Sequence, residues 1–147
     1  MGLNRKEEYM KYIIMLLIVI GLAAVDFITG IIKAAVKNDI SSKKMRLGGL
    51  NKVCEIIIMA TACGLEIGIE ALGRFYQAPK LAEVSGIIAA GLVFLYIVVM
   101  EVISILENYG EVNPDAVWIK WIIKKLRVFQ KKEEEEVNND VPSDKET

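Results

Sequence analysis

The chain has 147 residues, 54% of them hydrophobic, and a mean hydropathy of +0.39. This composition is too apolar for an ordinary soluble domain of this length, and it predicts a membrane protein with one compact unit. Because the chain has two cysteines and no histidine, its composition excludes a zinc site and a histidine-based catalytic site.

The formal net charge of −1 hides a strong asymmetry along the chain. The last fifteen residues carry seven acids and one lysine, a charge of −6, which leaves +5 for the rest. The cations flank apolar segments instead of forming a continuous stripe, so we expect anionic membrane lipid, and not nucleic acid, as a partner. The acidic tail, residues 133–147, has the composition of disordered chain.

Three apolar stretches, 12–32, 53–72 and 84–105, are each long enough to cross a hydrocarbon core, which takes about 20 helical residues. Backbone polar groups must be paired within the chain in lipid, so the sequence predicts an all-α membrane protein with three transmembrane helices. A cleaved signal peptide fits the first stretch poorly, because it has no A-x-A site and two further spans follow.

Lysine and arginine are unevenly distributed outside these spans. Six lie in the connection 33–52 and six between 120 and 132, against three in the N-terminal segment 1–11 and two in the connection 73–83. Positive residues favour the cytoplasmic side of a membrane. We therefore expect the N-terminus outside and the C-terminus in the cytoplasm.

Polar residues share one side of the first span. Asp26, Thr29, Gly30 and Lys33 follow the three- and four-residue spacing of one helix face. An ionised carboxylate at mid-bilayer costs about 2.5–3.5 kcal/mol, so the presence of Asp26 in the span calls for a structural or functional explanation. Lys33 is two turns away, roughly 10 Å along the axis, which is too far for direct contact without a bent side chain or a partner helix.

The second span has an acidic face and, opposite to it, a small-residue ladder. The acidic face is Glu55, Glu66 and Glu70, and the ladder is Ala60, Gly64 and Gly68. Small residues let membrane helices approach closely, so two opposed contact faces favour a homo-oligomer in which the acidic face turns toward water. The sequence leaves open that these acids instead pair with cations such as Lys33 or Arg74 inside one chain.

The two cysteines, Cys54 and Cys63, lie nine residues apart in the same span. Nine helical residues place them on opposite sides, which excludes an internal disulfide. We expect both to be buried thiols.

After the spans, residues 114–132 predict an amphipathic helix at the membrane surface. The segment is too short and too charged to span, and Trp118 and Trp121 are suited to the head-group level. Its basic side would meet the anionic cytoplasmic leaflet. The basic anchor residues are Lys120, Lys124, Lys125 and Arg127. The alternative is a helix that packs on a soluble partner.

Three motifs follow in order along the chain: "DFITG" at 26–30, "ISSKKMRLGGLNK" at 40–52 and "EVISILENYG" at 101–110, with Pro114 soon after. They resemble the toxin-secretion/phage-lysis holin family, which includes phage holins and a holin-like protein implicated in clostridial toxin release. Asn51 departs from the family pattern, in which a second basic residue often precedes the one at Lys52. The motif positions are Asp26, Thr29, Gly30, Ser41, Ser42, Gly48, Gly49, Lys52, Glu101, Ser104, Glu107 and Asn108.

The resemblance implies a phage-encoded pore former of the bacterial cytoplasmic membrane. Such a protein accumulates, then oligomerises at a set time into lesions that release an endolysin or a toxin, without binding this cargo. Neither a cofactor nor an enzymatic activity is expected, since no nucleophile lies beside a base and no glycine-rich phosphate loop follows a strand. Two alternatives stay open: a small membrane scaffold or accessory subunit, and a small ion channel.

Overall fold

The computed structural model describes the backbone of residues 5–140 and the side chains of residues 9–128. Four helices follow one another in this part of the chain, and it contains no strand. They are α1 (Arg5–Val36), α2 (Ser42–Phe75), α3 (Pro79–Val112) and α4 (Val117–Asp140). Helices α1, α2 and α3 pack against one another as an up-down-up bundle, and α4 packs on α3.

The predicted all-α fold with three membrane-spanning helices is confirmed. Each of the first three helices contains a segment that is long and apolar enough to cross a membrane: Tyr9–Val36, Ser42–Phe75 and Pro79–Val112. Leucines on the outer surface of each helix are about three-fifths exposed (Leu17 61%, Leu65 58%, Leu92 61%). An extensive apolar exterior of this kind is typical of a surface that lipid covers.

The helices are longer than the predicted spans. They have 32, 34 and 34 residues, which at 1.5 Å per residue is roughly 50 Å, well beyond a hydrocarbon core of about 30 Å. The segment 33–52 is therefore mostly helical, and the bend between α1 and α2 takes only residues 37–41. Hydropathy locates the apolar stretch, whereas a helix begins at its cap, here the Ser41 side chain that accepts a hydrogen bond from the Lys44 backbone N–H.

Two residues with left-handed backbone form the tight turns. At the end of α1, Asn38 has φ 52°, and the next N–H, of Asp39, donates to the Ala34 carbonyl at 2.9 Å, which closes the helix in a Schellman motif. At the end of α2, Gln77 has φ 58°, and Pro79 then opens α3 with its fixed φ. These turns hold the three helices antiparallel and in register.

The core between the helices combines apolar and small side chains. A cluster of buried residues includes Val19 of α1, Met59 of α2 and Ile97 of α3. Every fourth residue from Ala82 to Ala90 of α3 is small and buried, and a Cβ added at the middle one, Gly86, would lie 2.9 Å from Cγ of Glu66. This second small-residue ladder brings α2 and α3 together inside the chain.

Two expectations for individual segments differ from the structure. Cys63 is buried as predicted, but Cys54 is exposed, since the opposite sides of α2 face the core and the outside of the bundle. Helix α4 continues through residues 133–140, the first part of the predicted tail, where a run of glutamates has good helix propensity. The rest of that tail, 141–147, lies outside the described residues.

Candidate functional site

Lys52 lies among three carboxylates, one from each long helix of the bundle. Its Nζ is 2.8 Å from Oδ2 of Asp26 on α1, 2.8 Å from both carboxylate oxygens of Glu101 on α3, and 3.3 Å from Oε2 of Glu55 on α2 itself. The side chains of Asp26 and Glu101 are 9% and 1% exposed. Charge-assisted hydrogen bonds of this length are among the strongest in proteins, and they join all three helices at one level.

Asn108 extends this arrangement along α1. Its Nδ2 donates to Oδ1 of Asp26 at 3.0 Å and to Oγ1 of Thr29 at 3.2 Å, while the Thr29 hydroxyl donates to the Asp26 carbonyl at 2.9 Å. A Cβ at Gly30 would lie 3.7 Å from the Asn108 amide nitrogen, which is an ordinary van der Waals contact. The buried charge network, as we name it, comprises Asp26, Thr29, Lys52, Glu55, Glu101 and Asn108.

A second ion pair lies toward the opposite end of the bundle, between Lys11 of α1 and Glu66 of α2. The Glu66 side chain is only 3% exposed, and the Lys11 ammonium compensates its charge inside the chain. Glu70, one turn further along α2, is half-buried. Within the described residues, every buried side-chain nitrogen and oxygen has a hydrogen-bond partner.

The acids and the cations thus pair inside one chain, the alternative that the sequence left open, but with partners other than those considered. Lys11 pairs with Glu66 and Lys52 with Glu55, whereas Lys33 and Lys37 pair with Glu111 at the end of α3. Among the residues of the structure that are described, no group of histidine, cysteine and carboxylate side chains could hold a metal ion.

The small-residue ladder of α2 lies on the outside of the bundle, opposite the acidic face. All three of its residues are exposed, and a Cβ added at Gly64 or Gly68 would meet nothing within 4 Å. The second span therefore has both opposed faces. The acidic face is turned into the chain, and the small-residue ladder is exposed to a neighbouring molecule or to lipid.

The remaining motif positions lie near the ends of α2 and α3. Ser41 caps α2, Ser42 is its first residue, and Cβ atoms at Gly48 and Gly49 would lie 3.9 and 3.8 Å from the Phe27 ring of α1. Ser104 is half-buried on α3.

Apolar and charged contacts hold helix α4 against the end of α3. Ile119 is fully buried, with Cγ2 3.4 Å from a Cβ position at Gly110, and Arg127 pairs with the motif residue Glu107. The indoles of Trp118 and Trp121 are exposed, at 60% and 62%. The basic anchor residues are exposed too, and Lys125 places its ammonium 5.0 Å from the centroid of the Trp121 ring.

The model of the bacteriophage holin family matches residues 8–131, which cover α2, α3, all but the first three residues of α1 and the first part of α4. The chain belongs to the bacteriophage holin family. No curated protein and no solved structure matches it. The predicted relationship to phage holins is thus confirmed, while the clostridial toxin-release type stays an interpretation. As a member of this family, the chain is an integral membrane protein of phage lysis.

Seven of the twelve motif positions have a side-chain hydrogen bond or ion pair: five belong to the buried charge network, Ser41 caps α2, and Glu107 pairs with Arg127 of α4. Sequence reasoning missed the partners Lys11, Glu111 and Phe27. The sequence does contain information on the ion pairs, because residues at equal distances from a tight turn face each other in antiparallel helices. Asp26 and Lys52 are each 13 residues from Asp39, and Lys11 and Glu66 are 28 and 27 residues from it.

Proposed function

We propose that this holin self-associates in the bacterial cytoplasmic membrane and forms timed lesions, through which a phage endolysin reaches the cell wall. The observation that carries the proposal is the exposed small-residue ladder of α2, in a chain whose family acts in phage lysis. The endolysin is cargo that passes through the lesion, and no binding to it is proposed.

The internal pairing of charges supports a phase of harmless accumulation. Unpaired charges at mid-bilayer cost several kcal/mol each, whereas inside a single copy Lys11 pairs with Glu66 and Lys52 offsets part of the charge of Asp26, Glu55 and Glu101. The exterior is apolar, so one copy suits lipid and offers no path to water. Damage to the membrane then requires contact between copies.

The ladder is suited to that contact. Ala60, Gly64 and Gly68 let two helix backbones approach closely, and small-xxx-small faces drive association of membrane helices by close packing. In the assembled lesion the acidic face of α2 turns toward water, and Glu66 leaves Lys11 for this aqueous lumen. The N-terminus lies outside and α4 rests on the anionic cytoplasmic leaflet, with Trp118 and Trp121 at head-group level.

The experiment that tests this function compares two double variants expressed in bacteria at equal levels. Gly64→Leu/Gly68→Leu blocks the ladder, and Gly21→Leu/Gly91→Leu adds the same bulk at two other helical glycines where a Cβ meets nothing within 4 Å. We expect the ladder variant to insert normally but to lose cross-linked oligomers and to delay release of a cytoplasmic reporter protein several-fold. The control variant should lyse cells on the wild-type schedule.

The same experiment separates the alternatives. A scaffold would be tolerated by the cells, and an ion channel would depolarise them without releasing folded protein. Unchanged cross-linking and unchanged release in the ladder variant would contradict assembly through this face.

A further inference from the structure

A cavity of about 420 Å³ lies at the end of the bundle that holds the turn between α1 and α2. Asp26, Lys52 and Asn108 of the buried charge network form part of its lining. Three further lysines, Lys33 and Lys37 from α1 and Lys44 from α2, line it as well. The orientation expected from the sequence puts this end at the cytoplasmic leaflet.

The lysines that are not in the buried charge network outnumber the acids that face them. Lys33 and Lys37 share the single carboxylate of Glu111, and Lys44 lies 2.6 Å from Oδ2 of Asp39. Three ammonium groups therefore face two carboxylates, which leaves one positive charge. The Lys44 hydrogen bond holds the pKa of the Asp39 carboxyl below its ordinary value, so this acid is charged at neutral pH.

These ion pairs are weak enough to be exchanged for a stronger partner. The side chains of Asp39 and Glu111 are 64% and 43% exposed, and an exposed pair is worth only about 0–1 kcal/mol. A phosphate group offers several oxygens at once, and its hydrogen bonds to ammonium groups are charge-assisted. Occupancy by phosphate would place its negative charge beside Lys33, Lys37 and Lys44, which have one positive charge more than the two acids that they pair with.

The remaining walls favour a ligand with an apolar part. Phe27, Ile31 and Met45 line the cavity. On the adjoining outer surface of the bundle, Ile28 and Ile32 are about half-exposed where lipid would cover α1. Basic pockets between membrane helices on the cytoplasmic side are a known setting for anionic lipid head groups.

We propose that this cavity binds the phosphate of an anionic phospholipid, with Lys33, Lys37 and Lys44 as donors and the acyl chains along the outer face of α1. The site fixes one lipid molecule to each copy at the level of the α1–α2 turn. It is independent of lesion formation, because the lipid can be bound by a single copy.

The test measures lipid retained by the full-length protein. Purified chain is equilibrated with equal amounts of phosphatidylglycerol and phosphatidylcholine in neutral detergent, and bound lipid is counted by native mass spectrometry. We expect one phosphatidylglycerol, at least tenfold above phosphatidylcholine. Lys33→Gln/Lys37→Gln should reduce this occupancy at least fivefold, whereas Arg74→Gln/Lys80→Gln, with the same loss of charge at the other end of the bundle, should retain it.

A second variant separates loss of the site from a disturbed fold. Gly48→Leu keeps every charge and fills space in the cavity, where a Cβ would make only ordinary contact with Phe27. It should also lose phosphatidylglycerol while its helical circular dichroism is unchanged. Equal retention in all variants overturns the proposal, and so does displacement of the lipid by an equal concentration of inorganic phosphate, which would make free phosphate the ligand.

Discussion

Lys52 is the single residue on which the inside of the bundle most depends. One ammonium faces three carboxylates, so its removal would leave Asp26, Glu55 and Glu101 repelling one another, with Asp26 and Glu101 buried. The hydrophobic effect contributes little between helices in lipid, where the exterior is as apolar as the core. Polar contacts and close packing therefore carry more of the stability than they do in a soluble bundle.

We expect Lys52→Met to lower the free energy of unfolding by about 3–5 kcal/mol, the range for breaking a buried ion pair by removal of one partner. Denaturant titration of the full chain in detergent micelles measures this change. Lys52→Arg keeps the charge and should recover most of the loss, and Lys80→Met, at an exposed position, serves as the control. Equal stability of Lys52→Met and Lys80→Met would show that the network contributes nothing.

The Lys11–Glu66 pair gives a prediction about activity rather than stability. If Glu66 faces the lumen after assembly, Glu66→Leu leaves insertion intact and abolishes permeabilisation, because the lumen loses a hydrated charge. Lys11→Met frees Glu66 from its partner and should bring permeabilisation forward. The measurement is the onset of reporter release at matched expression. A normal onset for Glu66→Leu would contradict the placement of Glu66 in the lumen.

At the scale of the helices, α2 and α3 approach each other closely at Gly86. A Cβ there would lie 2.9 Å from Cγ and 3.3 Å from Cα and the carbonyl oxygen of Glu66, and the backbone atoms cannot move away without shifting the helix. Gly91, on the same helix, has open space around its Cβ position. The two glycines form a matched pair for a packing experiment.

Gly86→Ala should destabilise the protein by about 1–3 kcal/mol, the usual cost of overpacking a close contact. Gly91→Ala should be neutral or stabilising by up to about 1 kcal/mol, because alanine has the higher helix propensity. Thermal unfolding of both variants in the same detergent, followed by circular dichroism, compares them. A Gly86→Ala protein as stable as Gly91→Ala would mean that α2 and α3 are not in close contact there.

The sequence predicts the helices well and their ends poorly. Hydropathy identifies all three spans, because lipid leaves the backbone no alternative to a helix. It misses the first turns of α2, since Ser41 and the left-handed Asn38 determine where the bend lies, and both are local polar features outside the apolar stretch. The ion pairs were missed for a related reason, because pairing needs the register that the turn sets.

For the molecule as a whole, its membrane position and its charge distribution together suggest how opening is timed. The buried charge network holds three carboxylates and one lysine toward the end that is expected to face the cytoplasm, whereas Lys11 and Glu66 form a neutral pair toward the other end. A potential that is negative inside draws carboxylates away from the cytoplasm and keeps the network within the bundle. Each charge that crosses the full potential changes the energy by about 2.3 kcal/mol per 100 mV.

Opening that moves these carboxylates toward cytoplasmic water is therefore opposed by the membrane potential and favoured by its collapse. In bacteria that already contain the holin, we expect an uncoupler to bring reporter release forward, from the scheduled time to within minutes of addition. Cells that express Gly64→Leu/Gly68→Leu should lose their potential equally but release little, because copies must still meet through the small-residue ladder. Voltage would not be the trigger if uncoupled cells with wild-type holin released the reporter on the same schedule as energised ones.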